Sequence, residues 1–147
     1  MNTAAVEHQH HTIANNAITT AAMKIEQWNN RVQNSIEIMQ PYLNDLDIHY
    51  QQHRFINAPL ILQARGELIT VDNMLNIARY RLNEVKALMA HEGAVNLAKI
   101  MNGIFGVHAM LYRVAAQNNE IMRLFQLVHD PDHATRRVFR DTSNLNQ

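Results

Sequence analysis

Two long stretches of this chain carry apolar residues at alternating three- and four-residue spacing, and they mirror one another about a single glycine. The first runs Ile61, Ala64, Leu68, Val71, Leu75, Ala78, Leu82, Val85, Met89. After Gly93 the second runs Leu97, Ile100, Ile104, Val107, Leu111, Val114, Asn118, Ile121, Phe125, Val128. Sustained spacing of this kind specifies long helices packed along a narrow seam. A reversal in His91-Glu92-Gly93-Ala94, with the glycine as a left-handed C-cap, brings Met89 against Leu97, Val85 against Ile100 and Leu82 against Ile104. Further out, Ala78 meets Val107, Leu75 meets Leu111, Val71 meets Val114, Ala64 meets Ile121 and Ile61 meets Phe125. Only Leu68 with Asn118 mixes polarity.

The sequence therefore predicts an all-α fold: an elongated antiparallel three-helix bundle built on a coiled-coil-like hairpin over about 60–91 and 94–129. At about 1.5 Å per residue, each arm would be a rod about 50 Å long.

The first segment keeps the same period through Ile18, Ala21, Ile25, Trp28, Val32, Ser35, Met39, Tyr42 and Leu46, with Ile36, Leu43 and Tyr50 widening the stripe. Its phase crosses Pro41 without a slip. A helix kinked at Pro41 satisfies that better than a new helix with proline in its first turn, the alternative. Asn57-Ala58-Pro59 marks the change to the next helix, with Asn57 as N-cap. Laid antiparallel on the second helix from that turn, the first places Leu46 level with Leu68, Met39 with Leu75, Val32 with Leu82 and Ile25 with Met89. Residues 1–17 then overhang the Gly93 end as an arm, 18–129 form the bundle, and 130–147 are a polar tail. Gly66, Gly103 and Gly106 fall inside helical patterns, where close approach by a neighbouring helix is one reason to keep a glycine.

Composition narrows the function classes. Thirteen basic residues balance thirteen acidic ones, so no net field favours nucleic acid or an anionic membrane. Ten Arg stand against three Lys, and seventeen Asn and ten Gln replace charges expected on helix exteriors. Such a surface is polar yet weakly self-repelling, hence permissive of association. Cysteine is absent, excluding disulfides and thiolate metal sites. Residues 1–11 lack the basic segment and apolar run of a secretory signal. The most apolar window, Ala94 to Ala116, contains Lys99 and Arg113, which at about 2.5–3.5 kcal/mol each argue against a transmembrane segment.

Histidine offers the nearest approach to a chemical site. His49/His53 and His129/His133 have the i, i+4 spacing that can aim two imidazoles at one metal, and the expected topology puts both pairs at one end. Pro131 interrupts the second pair, and no carboxylate completes a ligand set. These four histidines are better read as surface or boundary residues, or as a pH-sensitive end, than as a metal site. A di-iron centre needs repeated Glu-x-x-His pairs, and the single spacing of that kind, Glu7 to His10, lies on the arm. No nucleophile elbow, phosphate loop, zinc-protease signature or calcium loop occurs. No enzyme and no cofactor is expected. Arg136, Arg137 and Arg140 in the tail lack aromatic platforms, so nucleic acid is not expected as a partner.

Two features point to partners instead. Asn118 breaks an apolar seam, as residues that fix register or partner number do, or as an edge residue meeting water does. The third helix is apolar well beyond its seam, through Met101, Phe105, Met110, Tyr112, Met122, Leu124 and Leu127. Burial against two neighbouring helices explains a broad stripe, and a further helix from another copy or a client explains one that nearly encircles. The sequence is read as a non-enzymatic interaction protein, a homo-oligomer or a structural component of a larger assembly such as a virion or secretion apparatus. The alternatives are a soluble adaptor or chaperone shielding an apolar client on the third helix, and a histidine-based metal-binding bundle.

Overall fold

The computed structural model describes the backbone of residues 3–44 and 58–129, and the side chains of residues 3–41 and 63–124. The described chain is three helices: α1 (Thr3–Asn44), α2 (Ala58–Glu92) and α3 (Leu97–His129). They pack as an all-α bundle, and no strand occurs among the described residues. Helix α1 runs through Pro41 without interruption, so no new helix starts there. Tyr42, Leu43, Leu46, Tyr50, the Asn57 cap, Ile61, Phe125, Val128 and the 130–147 tail fall outside the described residues or side chains.

The hairpin is capped at both helix ends. Gly93 adopts φ +68° and its N–H donates to the Met89 carbonyl at 2.8 Å. This closes the end of α2 in the left-handed form that glycine adopts without a Cβ penalty. Three residues later Asn96 opens α3: its Oδ1 accepts the Lys99 N–H at 3.1 Å, satisfying one of the amide groups a helix start leaves unpaired.

The chain divides into two compact units, Met1–Arg31 with Val71–Ala115, and Val32–Thr70 with Ala116–Gln147. In the first unit Val71, Leu75, Ala78, Leu82 and Val85 of α2 and Ile100, Ile104, Val107, Leu111 and Val114 of α3 are all buried. Their spacing keeps every one on the inward face. From α1 come Ala14, Ala21 and Ile25. Two arginines of α2 reach across to its neighbours. Arg79 donates to Asn29 Oδ1 on α1 at 2.8 Å, and Arg81 donates to the Gly106 carbonyl on α3 at 3.3 Å. In the second unit Val32, Ser35 and Met39 of α1, Ala64 and Leu68 of α2, and Asn118, Ile121 and Leu124 of α3 are buried.

The position of α1 differs from the one expected. Asn118, opposite Leu68, should lie level with Leu46; instead Ser35 Oγ donates to Asn118 Oδ1 at 2.7 Å. Leu46 and Ser35 are eleven residues apart, about three full helical turns, so the same stripe faces inward in both arrangements. The expected position was reckoned from a turn at Asn57, which lies outside the described residues. Ala14 has no exposed surface, and α1 is helical from Thr3, so packing begins well before residue 18.

Of the three helical glycines only Gly103 marks a close approach. A Cβ there would collide with Cγ2 of Val85 on α2, while Gly66 has nothing within 4 Å. Gly66→Ala is therefore expected to raise stability by about 0.5–1 kcal/mol through helix propensity alone. Gly103→Ala should lose more to overpacking against a stiff β-branched side chain than it gains, a net loss of up to about 2 kcal/mol. Urea unfolding of both variants checks this, and equal gains would mean that the two helices do not touch at Val85.

Candidate interaction surface

Inward positions of α3 account for only half of its circumference. Opposite them, within the first unit, Val95, Ala98, Asn102, Phe105, Ala109 and Tyr112 form a second series at three- and four-residue spacing, and every one is exposed. Val95 just before the helix is 77% exposed, Phe105 62% and Tyr112 80%. The series contains no charged residue. On the same unit Ile13 and Met23 of α1 and Ile77 and Tyr80 of α2 are also exposed.

The seven interface candidates on α3 therefore separate. Phe105 and Tyr112 lie on the outward face, and Met101 and Met122 are half-buried. Met110 and Leu124, at 5% and 1% exposed, belong to the core. The Leu127 side chain lies outside the described ones. Thus part of the broad apolar stripe is spent on the bundle and part is left facing water.

Asn118 is no edge residue. It is buried, and its partner Ser35 is buried as well. Two polar side chains placed on otherwise apolar seams meet each other, so neither the Ser35 hydroxyl proton nor the Asn118 oxygen faces hydrocarbon. The pairing was readable: α1 and α3 each have one polar residue in the inward series, and only a match between them satisfies both.

Of the proposed pH-sensitive histidines, His49, His53 and His133 lie outside the described residues, and His129 ends α3 with its side chain undescribed. A different histidine is perturbed. His108 is half-buried on α3, and burial first, then the Lys24 ammonium on α1, hold its pKa below the ordinary 6.5. The unfolded chain thus takes up this proton at higher pH than the folded one. Stability should decline as pH falls through about 6.5 toward the folded pKa, and level off below it. His108→Gln is expected to remove that component from the pH profile of thermal unfolding; an unaltered profile would assign it elsewhere. On the outer surface Arg123 pairs with Glu120 one turn away, holding that carboxyl below its usual range. Exposed pairs of this kind add little to stability.

Among the described residues no group of three or more His, Asp or Glu side chains is placed to hold a metal ion, and no helix is long and apolar enough to cross a membrane. No protein-family model, curated protein or solved structure matches the chain.

Proposed function

We propose that this chain is a non-enzymatic helical interaction protein, one that self-associates or packs as a structural component of a larger assembly of the virion or secretion-apparatus kind. The observation that carries the reading is the uncharged, exposed series Val95, Ala98, Asn102, Phe105, Ala109 and Tyr112 along α3 in the first unit, with Phe105 62% and Tyr112 80% exposed. Large exposed apolar patches are uncommon on monomers, and covering Phe105 and Tyr112 removes apolar area from water at about 25 cal/mol per Å². The amide-rich neutral surface supports the same reading, since it offers little repulsion between copies. Sedimentation velocity of the untagged chain from micromolar to millimolar concentration tests it, together with isolation from its native cells. A mass that rises above 16.9 kDa with concentration, or co-isolation of a stoichiometric partner, is expected. A single 16.9 kDa species throughout, isolated alone, would contradict it.

A further inference from the structure

The outward series of α3 is arranged to pair with itself. Reversed end for end about the level of Val107, it sets Asn102 against Tyr112 and Phe105 against Ala109, and by two-fold symmetry each layer occurs twice. A large side chain meets a small one in one kind of layer. In the other, a phenol hydroxyl meets an amide that can donate to it or accept from it. A parallel arrangement would instead stack Phe105 on Phe105 and Ala109 on Ala109, leaving a crowded layer beside a hole. We propose that the partner at this face is a second copy of the chain, docked antiparallel through α3 with Phe105 seated on the partner's Ala109. The pairing rests on the association reading above and gives it an occupant and a direction.

Area and charge set its strength. Phe105 and Tyr112 together leave on the order of 300 Å² in water on each copy. With Ala98, Asn102 and Ala109 added, two copies approach the roughly 1,000 Å² at which specific interfaces begin. The pair is thus weak and reversible. Lys99, Gly106 and Arg113 recur at seven-residue spacing along one flank, and antiparallel pairing brings Lys99 of one copy toward Arg113 of the other. Arg81, lying on the Gly106 carbonyl, adds a third cation to that flank. Like charges at the rim repel through the solvent, so added salt should tighten the pair instead of loosening it.

Two variants test the pairing on the full-length chain by sedimentation velocity, with far-UV circular dichroism as a check of folding. Phe105→Asp and Ala109→Lys alter exposed positions, so each chain should remain helical. Each alone buries a charge against an apolar partner and should weaken dimerisation by about thirtyfold or more. Mixed one to one they restore a dimer, because Asp at 105 then meets Lys at 109 while the second layer stays native. Restoration, with tightening of the wild-type dimer by salt, is the expected result. Oligomers that ignore both substitutions, or a mixture that stays monomeric, would overturn the pairing while leaving association through another face intact. A wild-type chain that is monomeric yet isolated with a different protein on α3 would also overturn it, and the association reading would survive.

Discussion

Leu75→Ala is expected to destabilise the protein by about 2–5 kcal/mol. Leu75 has no exposed surface. The contacts of Val85 with Gly103 and of Arg81 with Gly106 set α2 against α3 so that Leu75 lies level with the turn carrying Leu111 and Val114. Truncation removes both the transfer energy of the lost methyl groups and the dispersion contacts around them, and packed helices relax poorly into the gap. Against a total of about 5–15 kcal/mol for a typical domain, that loss would show as a large fall in the urea midpoint. Tyr112→Ala supplies the contrast. At 80% exposed it should change the stability of the single chain by no more than about 0.5 kcal/mol. Similar losses from both would mean that inward and outward faces of α3 have been interchanged.

The second large effect belongs to the polar layer. Ser35→Ala takes away the hydroxyl that donates to Asn118, leaving a buried amide oxygen without that bond, at about 1–3 kcal/mol. Asn118→Leu alone, on sequence grounds a stabilising change, deletes the same bond from the other side and should also destabilise. The double variant Ser35→Ala/Asn118→Leu is expected to recover most of the loss, since an apolar pair needs no partner. What it gives up is axial definition. With the polar match gone, α1 is held lengthwise less firmly, by contacts such as Arg79–Asn29, so extra amide resonances from whole-turn slips are expected in its NMR spectrum. A double variant as unstable as the sum of its parents, with a single sharp spectrum, would mean that the bond does not set the position of α1.

That same sliding freedom explains what the sequence could and could not convey. Three- and four-residue spacing fixes which side of a helix faces inward: every residue it selects from Ala64 to Val85 and from Ile100 to Ile121 is buried, and Met74 and Met110 join them. Gly93 fixes the hairpin, because a left-handed residue between two long helices leaves few other paths. Nothing local fixes α1 lengthwise: a shift of eleven residues leaves its stripe inward, and cross-helix polar pairs, Ser35–Asn118 and Asn29–Arg79, distinguish the two positions. The candidate surface was legible in the same partial way. Excess apolarity on α3 was evident in composition, yet Met110 and Leu124 could be assigned inward and Phe105 and Tyr112 outward only once neighbouring helices were in place. His108 escaped notice because a lone histidine carries no spacing signal, and Lys24 is distant in sequence.

One face of α3 zipped into its own chain and the other turned out to meet a second copy is the claim that gives the functional reading its partner. Two-dimensional NMR of the labelled chain, followed from micromolar to millimolar concentration, measures it residue by residue. Concentration-dependent shifts confined to Ala98, Asn102, Phe105, Ala109 and Tyr112, with Ile104, Val107 and Leu111 unmoved, are the expected result. Shifts absent across that range, or concentrated on the inward residues, would contradict it.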